Sequence, residues 1–262
     1  VSSIKIEELK VEVPDGNIYV KKWLPENRLS DSPIILLHDS LGSVDLWKDF
    51  TLVLAQRLSR CVIAYDRLGF GKSDTRTSLP SIYFVNEEAT IYFPPIKSHL
   101  GISHYVLLGH SVGGGMCINI AAGDSDCKAV ITMSAQAFVE NRTIKGIEDA
   151  QRIFNQPGQL ERLEKWHGKK AWWVVHAWTD IWLSADFESW SLAGCIDNVS
   201  CPILAIHGEN DEYGSTEFPE FIVNNIVGKA EMLLLEDCGH MPHKEKTLEV
   251  ISVVNEFISR NA

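Results

Sequence analysis

A chain of 262 residues in which 35 Asp and Glu outnumber 24 Lys and Arg carries a formal charge of -11. That field repels phosphate backbones and anionic lipid, so it argues against nucleic-acid and membrane-surface partners. At 45% hydrophobic and 23% charged residues, the composition is that of an ordinary globular chain, long enough for one large α/β domain or two small ones. No apolar run approaches the roughly 20 residues of a bilayer span, and Val1 to Glu8 lacks a signal-peptide core, so a soluble, cytoplasmic protein is expected. Cysteines 61, 117, 127, 195, 201 and 238 are too scattered for a disulfide scaffold and read as free, mostly buried thiols. Cys195 and Cys201 have no second pair with which to complete a zinc site.

Lys5 to Val13 and Ile18 to Trp23 alternate polar and apolar residues around the turn Pro14-Asp15-Gly16-Asn17, which predicts an antiparallel hairpin. Nearly continuous apolar runs follow at Ile34 to Leu37, Cys61 to Tyr65, Tyr105 to Leu108, Ala129 to Met133, Ile203 to Ile206 and Glu231 to Leu235. Such runs are expected of strands buried on both faces. Helical patterns separate them at Leu46 to Leu58, Ser81 to Leu100, Val112 to Ala122, Phe218 to Ile226 and Lys246 to Ile258. Pro94-Pro95 should break or kink the second of these. The alternation predicts an α/β fold with a mostly parallel eight-stranded sheet and helices on both faces.

From Gln136 to Ser200 no convincing buried strand occurs, and six of the eight tryptophans fall there (Trp166, Trp172, Trp173, Trp178, Trp182, Trp190). This segment reads as a helical cap inserted into a core made of residues 1–135 and 201–262. An insertion at that point would emerge on the carboxyl edge of the sheet. Trp178 and Trp182, four apart on one helical face, are its candidate substrate-binding pair. The rings could equally be the cap's own core.

Gly109-His110-Ser111-Val112-Gly113 directly follows an apolar strand and opens a helix, the strand-turn-helix context of a nucleophile elbow. A serine hydroxyl needs a base. His240 lies between the last strand and the final helix, on a loop at the carboxyl edge where open α/β sheets bind ligands. His243, closer to the helix and without a preceding glycine, is the rival and reads as a rim or capping residue. His38 and His207 end buried strands and read as packing or hydrogen-bonding residues, and His110 should point away from the nucleophile. The loop after Ile203 to Ile206 offers Glu209, Asp211 and Glu212. Asp211 has the better spacing and a shorter side chain, giving the order serine, aspartate, histidine.

Three further motifs complete a resemblance. Ile35 to Gly42 resembles the His-Gly turn, and Tyr65 to Ser73 the Asp-x-x-Gly-x-Gly-x-Ser loop, of the α/β-hydrolase superfamily; Gly109 to Gly113, Gly208 to Asp211 and Gly239-His240 match in order. The resemblance covers nearly the whole chain. It implies an oxyanion hole built from the backbone N–H groups of Val112 and Ser40. Asp39 stands where the family usually has glycine; aspartate tolerates a left-handed backbone, but it brings a carboxylate toward the site. Asp39 and Leu41 join the tryptophan pair as candidate substrate-binding residues, with a solvated loop acid as the alternative for Asp39. The Asp66 to Ser73 loop lacks the ending and helix of a phosphate cradle, so its role reads as structural. No dinucleotide fingerprint or metal-binding motif occurs, so no cofactor is implied.

The expected activity is hydrolysis of a carboxylic ester, thioester or lactone through an acyl-enzyme on Ser111, acting on a small molecule with an apolar or aromatic part. Carbon–carbon bond hydrolysis or other chemistry on the same triad is the alternative, as is a ligand receptor with little turnover.

Overall fold

The computed structural model describes residues 3–262. Eight strands lie in the order β1-β2-β4-β3-β5-β6-β7-β8. They are β1 (Ile4–Val13), β2 (Gly16–Pro25), β3 (Ser30–Leu37), β4 (Arg60–Tyr65), β5 (Tyr105–His110), β6 (Cys127–Met133), β7 (Ile203–Gly208) and β8 (Ala230–Leu235). The hairpin β1–β2 is antiparallel and joins β4 antiparallel. From β4 through β3, β5, β6 and β7 to β8 every pairing is parallel.

The central strands are apolar along their whole length because each face packs on helices. In β3, Ile35 and Leu37 face one core and Ile34 and Leu36 the other, the two-residue period of a strand. On one side lie α1 (Phe50–Leu58), through Phe50 and Leu54, and the C-terminal helix Thr247–Asn261, through Val250, Val254 and Phe257. The opposite face packs on a helical stretch over residues 84–99 through Phe93 and Ile96, on Val112–Gly123 through Val112 and Met116, and on Glu217–Asn225 through Phe218.

Three sequence expectations are corrected. The pattern Leu46 to Leu58 splits into a 3-10 turn at Val44–Trp47 and α1, interrupted at Lys48, whose φ is 54°. The pattern Ser81 to Leu100 is not broken at Pro94-Pro95: α2 (Phe84–Glu87) widens into a π turn at Glu88–Tyr92 and continues as α3 (Phe93–His99). The two prolines follow closely on the π turn, where the helix hydrogen-bond register already changes and can absorb their missing N–H groups. Strand β8 is an edge strand and is only partly buried, with Met232 exposed, so its apolar run does not report burial on both faces.

After α4 (Val112–Gly123) and β6 the chain makes α5 (Asn141–Phe154), α6 (Gln159–His167) and α7 (Ala171–Trp182) before returning to β7. A bridge between Phe138 and Ser191 brings the outgoing and returning chains together. Leu192 N–H donates to Ala137 O at 2.8 Å beside it. Then come α8 (Glu217–Asn225), α9 (Pro242–Glu245) and α10 (Thr247–Asn261). Among the described residues no helix is long and apolar enough to cross a membrane.

Candidate active site

Five loops leave the carboxyl ends of β3, β5, β6, β7 and β8 on one edge of the sheet, and together they build the site. Ser111 follows β5 directly, with φ 56° and ψ -128°. That conformation is strained for a non-glycine residue, and two backbone bonds hold it: Ser111 N–H to Met133 O and Gly114 N–H to Ser111 O, both 2.9 Å. The flanking glycines are needed for close approach. A Cβ at Gly109 would lie 2.3 Å from Gly113 O, and one at Gly113 would lie 2.3 Å from Leu37 O. The elbow is therefore pressed against the turn that follows β3.

His240 Nε2 lies 3.0 Å from Ser111 Oγ, and its Nδ1 lies 2.9 and 2.8 Å from the two carboxylate oxygens of Asp211. Asp211 is 1% exposed and accepts the Tyr213 N–H at 2.8 Å. Burial acts to lower the His240 pKa, but the Asp211 hydrogen bond and charge, assisted by Asp39 and Glu212, leave it raised above the ordinary value. Burial likewise acts to raise Asp211, and the contact with His240 outweighs it, so the carboxyl stays ionised at lower pH. A carboxylate on Nδ1 places the lone pair of neutral His240 on Nε2, facing the serine proton.

The other histidines are placed elsewhere. His243 is buried against Trp47, with ring centroids 4.9 Å apart, and against His110 at 4.7 Å. His110 points away from Ser111 and donates from Nε2 to the His240 carbonyl at 2.7 Å. His207 lies beside Asp211, 3.6 Å from Oδ2, and 3.3 Å from Gly214 O. His38 is buried beneath the turn after β3.

A cavity of about 280 Å³ opens over Ser111 and His240; Asp39, Ser40, Leu41 and Trp178 line it, as do Gln136 and Glu212. Trp182 does not. It is 2% exposed and packs on Phe187 and Trp190, at 5.0 and 5.5 Å, so the structure separates the tryptophan pair. Asp39 is not in the left-handed region. Its Oδ2 is 3.5 Å from His110 Nδ1, while its Oδ1 is buried over Gly42 without a hydrogen-bond partner. Burial alone would raise this carboxyl, but His110, with Lys244, holds it well below the usual range. Val112 opens α4, where a first-turn N–H has no intrahelical partner.

Gln136 is a site residue that sequence reasoning treated only as the start of the insertion. Its amide oxygen lies 3.2 Å from Ser111 Oγ. The serine hydroxyl has one proton, so it cannot donate to Gln136 and His240 at once. The available signal was position: Gln136 follows β6 on the same sheet edge as the triad loops. Away from the cavity, the Asp66 carboxylate accepts the N–H groups of Val44 and Lys72, each at 2.6 Å, and thereby braces its own loop. Trp173 closes over that loop at Gly69, where φ is +94° and a Cβ would meet the indole at 2.4 Å. Among the described residues no cluster of three or more His, Cys, Asp or Glu is arranged to hold a metal ion.

A family model described as alpha/beta hydrolase fold matches residues 32–163. Proline iminopeptidase of Lactobacillus helveticus is 23% identical over 273 residues, covering 89% of this chain and 92% of that protein. Among solved structures, 2-hydroxy-6-oxo-6-phenylhexa-2,4-dienoate hydrolase from a Rhodococcus strain superposes with a TM-score of 0.79 at 16% identity, covering 98% of this chain and 100% of that one. The enol-lactonase of Burkholderia xenovorans gives 0.73 at 17%, covering 96% and 100%. At these identities the structural likeness establishes the fold.

Proposed function

Because the chain belongs to the α/β-hydrolase fold family, we propose that it is a serine hydrolase that cleaves a carboxylic ester, thioester or lactone through an acyl-enzyme on Ser111. The observation that carries this reading is the continuous contact from Asp211 through His240 to Ser111 Oγ, at 2.8 and 3.0 Å, beneath an open cavity. In the first half-reaction His240 Nε2 takes the Ser111 proton as Oγ bonds to the acyl carbon. The carbonyl oxygen becomes an oxyanion facing the N–H groups of Val112 and Ser40. His240 then protonates the leaving oxygen or sulfur. In the second half-reaction it takes a proton from water, which attacks the acyl-enzyme and returns Ser111 to its free form.

The cavity volume, about 280 Å³, suits a small to medium acyl group. Residues 136–200 serve in this reading as a cap over the cavity, with Trp178 and Leu41 contacting the apolar part of the substrate. A second reading is cleavage of an amide next to a free amino terminus. It is favoured by the iminopeptidase relatives and by the carboxylates of Asp39 and Glu212 in the cavity wall, which could pair with an ammonium.

The test is labelling of Ser111 with a fluorophosphonate, located by mass spectrometry, followed by turnover on small esters, thioesters, lactones and a prolyl anilide. Ser111→Ala should lower kcat by several orders of magnitude with the fold intact. Retention of more than about a tenth of the wild-type rate would remove Ser111 as nucleophile. Preference for the prolyl anilide over every ester selects the second reading.

A further inference from the structure

His38, Asp39 and Arg67 form a closed set of contacts under the turn after β3. The Arg67 N–H donates to His38 Nε2 at 3.1 Å, which leaves the proton of the neutral ring on Nδ1. That nitrogen donates to the Asp39 carbonyl at 2.8 Å. The Arg67 guanidinium donates to the same carbonyl at 2.7 Å. Burial, and then the charge of Arg67, keep the His38 pKa far below its ordinary value, so Nε2 remains an acceptor. Arg67 is itself 5% exposed and lies 4.3 Å from the Phe70 ring. Its main electrostatic offset is the buried Glu88, which accepts from the Tyr65 hydroxyl at 2.7 Å.

The consequence concerns the opposite side of one peptide. A trans peptide holds its C=O and N–H on opposite sides. The Asp39 oxygen also accepts the Gly42 N–H at 3.3 Å, and with that oxygen held by Arg67, His38 and Gly42 the Ser40 N–H faces away from them, while Ser40 shares the cavity wall with Ser111. The turn and the elbow are also in tight register, because a Cβ at Gly113 would lie 2.7 Å from His38 O. A rotation of the Asp39–Ser40 peptide would thus move the donor without moving the nucleophile.

We propose that Arg67 is a positioning residue for the second oxyanion donor: its guanidinium anchors the Asp39 carbonyl and so aims the Ser40 N–H at the oxygen of the reacting acyl group. This rests on the acyl-transfer reading above. Arg67 does not line the cavity over Ser111 and lies outside the triad, yet it sets whether the site binds an oxyanion better than a carbonyl. The glycine-rich loop that carries Arg67 thereby acquires a role in turnover through the turn beside it.

The experiment compares Arg67→Met combined with Glu88→Gln, which removes charge and counter-charge together, with Arg67→Lys, which keeps a donor. Loss of a whole oxyanion donor costs about 10²–10³-fold in kcat, so a donor misaligned in part of the population should cost about 10–100-fold. The double variant should lose that much in kcat with KM within about twofold. Its affinity for a trifluoromethyl ketone, whose Ser111 adduct carries the oxyanion, should fall by the same factor as kcat/KM, and Arg67→Lys should recover part of both. A folded double variant with wild-type kcat and ketone affinity, or one in which only KM moves, overturns the proposal. If that variant does not fold, the same two ratios measured on Arg67→Lys decide. The Ser40 amide resonance reads the peptide without turnover: a shift in either variant supports the proposal, and an unmoved cross-peak overturns it. A wild-type protein inert to every acyl substrate would sink the acyl-transfer reading, while the Ser40 resonance would still decide the positioning.

Discussion

Trp178→Ala and Trp182→Ala should have opposite signatures, although the two rings are one helical turn apart. Trp182 is buried among Phe187 and Trp190, and removing it leaves a closed apolar void. A Trp→Ala change in such a place costs about 3–5 kcal/mol. The Trp182 Nε1–H is buried without a partner, and its removal also deletes a desolvation penalty, which points to the lower end, about 3 kcal/mol. For a chain of this length each kcal/mol moves Tm by about 2–4 °C, so Tm should fall by roughly 6–12 °C with KM little changed. Trp178 lines the cavity, so the space it vacates joins a water-accessible volume and carries a smaller void penalty. Lost contact worth about 1.5–3 kcal/mol should raise KM for bulky apolar esters roughly 10- to 100-fold and leave acetate esters nearly unaffected. Differential scanning calorimetry and paired KM measurements on long and short esters read both effects. Equal Tm losses together with equal KM changes on all substrates would refute the separation of the two rings.

Asp211→Asn should lower kcat by about 10³–10⁴-fold, because the imidazole loses both its fixed tautomer and its counter-charge. Since Asp211 offsets the downward push of burial on His240, the rising limb of the residual pH–rate profile should move to lower pH than in the wild type; an unchanged rate and limb would place the acid elsewhere, with Glu212 and Glu209 next to be replaced. Folding stability should also fall as pH drops below about 6.5, since burial keeps His38, His167, His207 and His243 neutral in the fold while the unfolded chain takes up protons. The sign follows from their lowered folded pKa values: the stability is present above the unfolded value and is lost as pH falls toward the folded one. Raised His240 works in the opposite direction but is a single group. A Tm that stays flat between pH 7 and 5 would contradict the neutral assignment.

The triad loops were legible because each directly follows an apolar run, and parallel strands deliver their carboxyl ends to one edge. Residue type and order then singled out Ser111, Asp211 and His240, and the structure brings their side chains into contact. Other features depend on quantities that spacing does not encode. Four residues along a helix define a shared face but not a depth; α7 carries Trp182 one turn beyond the cavity, to Phe187 and Trp190. Pro94-Pro95 reads as a break only if the preceding turn is α-helical, and the π turn at Glu88–Tyr92 removes that condition. An apolar strand such as β8 looks the same in sequence whether or not a neighbour covers it. Gln136 was hidden for a different reason: an uncharged amide has no motif, and only the meeting of the β6 loop with the elbow gives it a partner.

Asp39 shows how the site accommodates a residue that its resemblance to the family does not anticipate. In the proposed acyl transfer, a carboxylate beside an oxyanion donor would oppose the charge that develops, and over a few ångströms that opposition is substantial. The structure limits it in two ways. One carboxylate oxygen is folded over Gly42, and the other faces His110, a ring tied through its far nitrogen to the His240 carbonyl. Asp39 also contributes to the raised pKa of His240, so in the proposed reaction the charge that would disfavour the oxyanion would favour the imidazolium formed in the same step. The backbone of Asp39, meanwhile, is held from beneath by Arg67 and His38. Side chain and main chain of Asp39 are thus each fixed, the carboxylate by His110 and the carbonyl by Arg67, His38 and the Gly42 N–H, which allows the turn to carry an aspartate while its peptide stays oriented toward the cavity.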